Sequence, residues 1–224
     1  MCNYYRQNLN STKLFQVYQT KYPRIKRYLD KEIDFVCQNL HGNEKVLEVG
    51  AGYGRIIKKL APFSASVVGI DISESTVDLG KDYIKECPNC NIQVMDAYNL
   101  VFGEEFDVVL CLQNGLSAMK GQPIHLIKQC MKVLTPGGKA YFSTYSPKFW
   151  KHRLTWFHEQ ENNGLLGEID LEKTKGGTIV CKDGFVAITF SEDTLKKLGE
   201  ESGCHYRIEE VDESSLFLIL EKTE

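Results

Sequence analysis

From residue 44 onward, short apolar runs alternate with longer segments whose apolar residues recur at helical spacing. Such an alternation is typical of a parallel sheet that carries helices on both faces. The predicted strands are 45–49, 66–71, 92–95, 106–112, 139–145, 205–211 and 215–221, and the predicted helices are about 53–61, 74–86, 122–134 and 192–202.

The last two predicted strands are separated only by Asp212, Glu213 and Ser214. So short a link requires an antiparallel pair, because a parallel return needs a crossover connection. The pattern therefore predicts an α/β domain with a seven-stranded, mostly parallel sheet, an antiparallel terminal hairpin and helices on both faces.

The first strand runs into a glycine-rich loop, Val46-Leu-Glu-Val-Gly-Ala-Gly-Tyr-Gly-Arg55. Glycines at such a strand-to-helix turn let the backbone approach a ligand closely. The spacing Gly50-x-Gly52-x-Gly54 differs from the G-x-G-x-x-G of dinucleotide enzymes, and no G-K-[ST] follows to hold phosphates. The loop therefore favours a nucleoside cofactor without phosphates.

The chain resembles the class I S-adenosylmethionine-dependent methyltransferases over roughly residues 44–145. The family's first loop, E/D-x-G-x-G-x-G, is matched by Glu48 to Gly54, and its second-strand acid by Asp71. Three further matches follow in the family's order: Met95-Asp96-Ala97, Phe106 to Leu112 and Leu134 to Lys139. The resemblance implies a Rossmann-like fold, S-adenosylmethionine as cofactor and methyl transfer as the activity.

The resemblance also implies roles for individual residues. Asp71 would accept the ribose hydroxyls, Asp96 and Ala97 would meet the adenine, and Glu48 with the loop backbone would face the methionine moiety. The full set of predicted cofactor-binding residues is Glu48, Gly50, Ala51, Gly52, Gly54, Arg55, Asp71, Ile72, Asp96, Ala97, Leu112, Gln113 and Asn114.

Several of these residues have structural alternatives. Asp71 could cap the helix that starts near Glu74, and Glu48 could brace its own loop. Arg55 could contact the cofactor carboxylate or lie in solvent. Gln113 and Asn114 could be plain turn residues.

Two segments exceed what the cofactor fold needs, and we expect the acceptor pocket between them. They are an N-terminal helical cap segment, 1–43, and an insertion at about 146–190 within the methyltransferase domain, 44–224. The first contains Tyr5 as a candidate catalytic group and Tyr4 as a candidate substrate contact.

A helix is predicted after Ser146-Pro147, a good N-cap and first-turn pair. On it His152, Trp156 and Glu159 share one face, which predicts a base, an aromatic wall and a polar contact for the acceptor. The alternative is a cap helix that packs Trp156 on the core. Further on, Asp183-Gly184 predicts a two-residue hairpin turn over the mouth of the pocket.

Composition argues against binding to nucleic acid, to a membrane and to a metal. The 224 residues carry a net charge of −3, which argues against a nucleic-acid surface. No apolar run approaches the roughly 18 residues of a membrane span, and the N-terminus lacks the features of a signal peptide, so a cytoplasmic protein without membrane contact is expected. Of eight cysteines only Cys87 and Cys90 have ligand spacing, and a turn without metal is predicted there.

The leading hypothesis is methyl transfer from S-adenosylmethionine to the nitrogen or oxygen of a small molecule, by a monomer or homodimer. Three alternatives stay open: a methyltransferase that acts on a macromolecule, a nicotinamide-dependent reductase, and a non-catalytic module that binds S-adenosylmethionine.

Overall fold

A computed structural model describes residues 11–223. Its helices are α1 (Ser11–Val17), α2 (Pro23–Cys37), α3 (Arg55–Leu60), α4 (Glu74–Ile84), α5 (Gly115–Ala118), α6 (Pro123–Val133), α7 (Trp150–Asn162) and α8 (Glu192–Ser202). Its strands are β1 (Lys45–Val49), β2 (Ser66–Asp71), β3 (Cys90–Val94), β4 (Phe106–Cys111), β5 (Leu134–Tyr145), β6 (Ile179–Val180), β7 (Val186–Ala187), β8 (His205–Val211) and β9 (Ser215–Glu221).

Seven strands form the main sheet in the order β3-β2-β1-β4-β5-β9-β8. The strands β1 to β5 are parallel, whereas β9 is antiparallel to β5 and to β8. The pairing of Val211 with Ser215 closes the terminal hairpin through three residues. The predicted fold class is therefore confirmed, including the direction of the last two strands.

Apolar side chains cover both faces of the sheet. On one face Leu126 and Ile127 of α6 pack with Leu195 of α8 over the central strands. On the other face Ile57 of α3 packs with Val36 of α2. The second half of α2 therefore packs against the sheet, because the apolar stripe of this amphipathic helix contacts the strands.

A third apolar cluster forms the cap above the carboxyl ends of the parallel strands. It joins α1, the first turns of α2, the helix α7 and the hairpin β6–β7, and includes Val17, Tyr28, Trp156 and Phe185. The two excess segments therefore pack against each other on the edge where open α/β sheets bind ligands.

The predicted two-residue turn at Asp183-Gly184 is wrong. The amide of Cys181 donates to the carbonyl oxygen of Phe185 at 2.8 Å, so three residues form the loop. A type I′ turn needs positive φ at both central residues, and here only Gly184, at 93°, has it. The side chain of Asp183 instead accepts from the amide of Phe185 at 3.0 Å, an Asx-type turn.

Cys87 lies in the turn between α4 and β3, and the amide of Cys90, the first residue of β3, donates to the carbonyl oxygen of Cys87 at 3.0 Å. Within residues 11–223 no cluster of three His, Cys, Asp or Glu side chains forms a metal site. No helix in the same range combines the length and apolarity needed to cross a membrane.

Candidate functional site

The glycine loop turns sharply at the end of β1. The amides of Gly50 and Ala51 both donate to the carbonyl oxygen of Ile70 at 2.9 Å, which fixes the loop against β2. Gly50, Gly52 and Gly54 have φ angles of 73°, 56° and 84°. Residues with a Cβ rarely adopt these angles, so the alternating glycines follow from the shape of the turn.

Asp71 joins this loop to the start of α4. One carboxylate oxygen accepts from the amide of Gly52 at 3.0 Å, and the other accepts from the amide of Ser73 at 2.9 Å. Burial raises the pKa of Asp71, and the two amide bonds act in the opposite direction. Each oxygen keeps a free lone pair, so the carboxylate can still accept hydroxyl groups of a ligand. Ser73, and not Asp71, is the N-cap residue of α4.

Glu48 is a buried acid at the floor of the loop, only 3% exposed. Burial raises the pKa of its carboxyl to about 8, while Arg55 lowers it and Asp71 raises it further. The Oε2 atom of Glu48 has no hydrogen-bond partner among the described residues. A buried carboxylate without a partner is costly, which makes Glu48 a ready acceptor for a ligand ammonium.

Nη2 of Arg55 and Nε2 of Gln113 are also among the buried polar atoms that lack a partner in the described part of the chain. The Arg55 guanidinium lies 4.7 Å from the centre of the Tyr18 ring, and the backbone of Gln113 is held with φ at 54° by a bond from its amide to Oγ of Ser143 at 2.8 Å. Both side chains, like Glu48, line one cavity.

This cavity has a volume of about 230 Å³ and lies along the carboxyl edge of the parallel strands. This volume is somewhat below the roughly 300 to 1,000 Å³ of typical small-molecule sites. Twelve predicted site residues line it: Glu48, Gly50, Ala51, Gly52, Arg55, Asp71, Ile72, Asp96, Ala97, Leu112, Gln113 and Trp156.

The cavity has two ends. The donor end comprises the glycine loop with Glu48, Asp71 and Asp96, over β1, β2 and β3. The acceptor end comprises Tyr145, Trp156, Phe157, Gln160 and Phe185, from β5 and the cap. The exposed Asp96 accepts from the amide of Tyr98 at 2.9 Å and lines the far side of the donor end.

Gly54 and Asn114 do not line the cavity. Gly54 supplies the turn into α3, and a Cβ there would lie 2.9 Å from Cγ2 of Ile84. The amide of Asn114 is used within the protein: Nδ2 donates to the carbonyl oxygen of Ile188, and Oδ1 accepts from Oγ1 of Thr144, both at 2.8 Å.

The buried face of α7 is not the face that the sequence predicts. The buried residues of α7 are Arg153, Trp156, Phe157 and Gln160. His152 is exposed, with its ring 5.5 Å from that of Phe149, and is not among the lining residues.

Glu159 also lies outside the lining. Its carboxylate accepts from Oγ1 of Thr20 at 2.5 Å and from the amide of Lys21 at 3.1 Å. These bonds connect α7 to the segment between α1 and α2. Tyr4 and Tyr5 lie outside the described residues.

The sequence predicted a cap from residues 1–43 but did not identify the residues of α1 that line the cavity. Leu14, Val17 and Tyr18 line the cavity, and Leu14 lies directly over the loop, since a Cβ on Gly52 would be 2.9 Å from its Cδ2 atom. The only sequence signal is an apolar spacing of three residues in STKLFQV, which is too short to predict a helix. Phe157, Gln160 and Phe185 were missed as well.

A family model described as a methyltransferase domain matches residues 46–138. The chain is 34% identical over 131 residues to a protein of Coxiella burnetii named ubiquinone biosynthesis O-methyltransferase. The matched region covers 58% of this chain and 53% of that protein. The chain thus spans about half the length of the curated relatives it matches.

Two solved structures share the fold. A protein of Methanosarcina mazei described as a SAM-dependent methyltransferase superposes with a TM-score of 0.60 at 22% identity, over 90% of this chain and 98% of that one. The N-methyltransferase NodS of Bradyrhizobium japonicum, in complex with S-adenosylhomocysteine, gives a TM-score of 0.64 at 16% identity, over the full length of both.

Proposed function

We propose that the chain is a member of the class I S-adenosylmethionine-dependent methyltransferase family, which it resembles and whose methyltransferase domain matches residues 46–138, and that it transfers a methyl group from S-adenosylmethionine to a small-molecule acceptor. One observation carries the proposal. Three buried polar atoms without partners in the described chain, on Glu48, Arg55 and Gln113, belong to side chains that line one cavity beside the carboxylate of Asp71. They match a ligand with a cationic amine, a carboxylate and ribose hydroxyls.

The donor would be held by the donor end of the cavity. We assign the two ribose hydroxyls to Asp71, the ammonium to Glu48 and the carboxylate to Arg55, each through charge-assisted hydrogen bonds. Asp96 and Ala97 are assigned to the adenine. The glycines also let side chains of the cavity wall approach the loop closely, since a Cβ on Gly50 would lie 2.5 Å from Cε of Met119.

When bound, S-adenosylmethionine supplies a methyl group on a positively charged sulfur, which a nucleophile can displace in line. The protein then has to align the acceptor and exclude water. Val17, Trp156 and Phe185 provide apolar walls for this purpose, and Gln113 offers a hydrogen-bond donor where β4 ends.

A small acceptor is supported by the way the cap encloses the cavity. The helices α1 and α7 are joined above it by the bond from Nε1 of Trp156 to the carbonyl oxygen of Val17, at 3.1 Å. The net charge of −3 offers no general attraction for nucleic acid. The name of the Coxiella burnetii relative supports oxygen as a receiving atom, and nitrogen is the alternative.

The proposal is tested with S-adenosylmethionine that carries a labelled methyl group. The protein is incubated with this donor and a cell extract, and the product is divided by ultrafiltration. We expect label in the small-molecule fraction, and much less of it with Asp71→Asn. Label only in the retained fraction would indicate a macromolecular acceptor, and donor binding without any transfer would indicate a non-catalytic module.

A further inference from the structure

A buried acid on α2, Glu32, lies outside the cavity but next to the turn that carries Gln113. Its side chain is 0% exposed, and it is not among the residues that line the cavity. Oε1 of Glu32 accepts a hydrogen bond from Oγ of Ser215 at 2.9 Å, and Oε2 has no hydrogen-bond partner among the described residues. Because burial of an ionisable group costs free energy, packing alone does not account for an acid at this position.

The register of the sheet places two serines under this acid. Ser143 of β5 lies opposite Phe217 of β9, and Tyr145 lies opposite Ser215. Opposite residues, and residues two apart along a strand, project their side chains to the same face of a sheet. The side chains of both serines therefore share one face with those of Tyr145 and Phe217.

The helix α2 covers that face and holds Glu32 between two aromatic contacts. One turn before Glu32, the ring centre of Tyr28 lies 5.3 Å from that of Tyr145. One turn after it, the ring centre of Phe35 lies 4.7 Å from that of Phe217. The carboxyl group is thus fixed over the two serines by packing on both sides.

Ser143 connects this acid to a strained turn at the end of β4. Gln113 and Asn114 have φ angles of 54° and 63°, which residues with a Cβ rarely adopt. Oγ of Ser143 accepts from the amide of Gln113 at 2.8 Å, and its carbonyl oxygen accepts from the amide of Asn114 at 3.0 Å. One serine therefore holds both residues of the turn, and Gln113 lines the cavity.

The hydroxyl group of Ser143 needs an acceptor for its own proton. Its oxygen already accepts from the amide of Gln113, so its proton is directed away from that bond. The carboxyl group of Glu32 is close enough for Ser143 to lower its pKa. A hydrogen bond to an ionised oxygen is roughly twice as strong as a neutral one, so an ionised Glu32 orients this hydroxyl group and strengthens its bond with Gln113.

We propose, on the basis of the proposed function, that Glu32 is a positioning residue for methyl transfer: its carboxylate orients Ser143, which holds Gln113 where donor and acceptor meet. Glu32 itself is buried behind the turn and touches neither ligand, so it takes no proton from the acceptor. Its contribution is to keep a strained turn in the one conformation that presents the Gln113 amide group to the cavity.

The charge of Glu32 changes near neutral pH. Burial raises its pKa to about 7, while the two serine hydroxyls, the guanidinium of Arg55 and the amide of Gln113 act in the opposite direction. The hold on Gln113 should therefore be present above pH 7 and be lost as the pH falls below it. The titratable or charged groups that face Glu32 are Tyr28 on α2, Tyr18 after α1 and Arg55 on α3, and Glu48 on β1 shares Arg55 with it. Both tyrosines have a raised pKa and stay neutral in this range.

The first test follows the backbone amide of Gln113 by NMR spectroscopy of the isotopically labelled, full-length protein without ligand. We expect its proton resonance to shift with pH, with a midpoint near 7. Glu32→Gln should abolish this titration, and Ser143→Ala should abolish it as well. Asp30→Asn, at an exposed position of the same helix, should leave it unchanged. The measurement needs neither donor nor acceptor.

The second test asks whether the turn matters for transfer, with S-adenosylmethionine labelled in its methyl group and cell extract as the source of acceptor. The initial rate of the unaltered protein is divided by that of Glu32→Gln at each pH. We expect this ratio to fall from about tenfold at pH 8 to about twofold at pH 6, because the unaltered Glu32 loses its charge over this range. The dissociation constant of S-adenosylhomocysteine, by calorimetry, should be alike for both proteins.

Three results would overturn the inference. They are a Gln113 amide that does not titrate near pH 7, a titration that persists in Glu32→Gln or Ser143→Ala, and a rate ratio that is the same at every pH. If Glu32→Gln does not fold, the NMR comparison of the unaltered protein with Ser143→Ala still decides. Absence of transferred label with the unaltered protein would instead refute the proposed function.

Discussion

The indole N–H of Trp156 donates a hydrogen bond to the backbone carbonyl oxygen of Val17 at 3.1 Å. The bond is buried and joins α7 to α1, two elements separated by more than a hundred residues of chain. Because both residues also line the cavity, the bond links its outer wall to the helix over the glycine loop.

Trp156→Phe keeps an aromatic ring but removes this bond. A buried carbonyl oxygen without its donor costs about 1 kcal/mol, so we expect the melting temperature to fall by about 2 to 4 °C and the KM for the acceptor to rise several-fold. Trp150→Phe, on the same helix but outside this cavity, is the matched control for KM. Equal KM values for the two variants would mean that the link does not shape the acceptor site.

Asp71→Asn should weaken donor binding at least tenfold. The substitution keeps the size of the side chain but replaces one acceptor oxygen and removes the charge, so at least about 1.4 kcal/mol of charge-assisted bonding is lost. Calorimetric titration with S-adenosylmethionine measures the change. Asp78→Asn, at an exposed position of α4, should leave the dissociation constant as it is. If the two variants bind alike, Asp71 has no contact with the donor.

Gly52→Ala tests the approach of α1 to the loop. The new methyl group would lie 2.9 Å from Cδ2 of Leu14, in addition to the strain of a positive φ. Gly42→Ala introduces similar strain with no atom within 4 Å, and is the control. We expect both to lower stability by about 1 kcal/mol, and only Gly52→Ala to weaken donor binding. Adding Leu14→Ala should restore part of that binding, and no recovery would show that α1 does not press on the loop.

Stability should depend on pH through Glu48. The pKa of this carboxyl is raised from 4.5 to about 8 by burial, so the folded protein binds a proton that the unfolded chain has lost. Stability without ligand is therefore expected to fall as the pH rises from 4.5 to about 8.

Glu48→Gln should remove the decline between pH 7 and 8 and should leave, below pH 7, the share that comes from Glu32. Because the pKa of buried Glu32 is raised to about 7, Glu32→Gln should flatten the curve only below pH 7 and leave the decline between pH 7 and 8. Urea unfolding at several pH values measures both curves. An unchanged decline above pH 7 in Glu48→Gln would contradict the assignment.

His152→Ala should leave turnover unchanged from pH 6 to 9, since the imidazole is exposed and is not among the residues that line the cavity. The measurement is initial rate against pH with an acceptor found by the labelling screen. A loss of activity confined to the acidic or basic limb of the profile would instead support the role of His152 as the base that the sequence predicts.

The fold and the donor end could be predicted because local rules determine them. Apolar runs mark the strands, and β8 and β9 agree with the predicted bounds. Alternating glycines and the acid at the end of β2 are required by a turn whose backbone angles other residues avoid. Such features depend on neighbours in sequence.

The acceptor end could not be predicted in the same way. The inner face of α7 is set by packing against α1 and the hairpin, and it contains Arg153 and Gln160, which count as polar in a hydrophobic pattern. His152 and Glu159 therefore looked equally suited to face the pocket. The position of α1 depends on contacts such as Leu14 with Gly52, which no local pattern records.

The most direct test of the account is a calorimetric titration of the full-length protein with S-adenosylmethionine and, separately, with NAD and NADP. The account predicts one site that binds S-adenosylmethionine with a micromolar dissociation constant, and no measurable heat with either nicotinamide cofactor. Micromolar binding of NAD or NADP without binding of S-adenosylmethionine would contradict it.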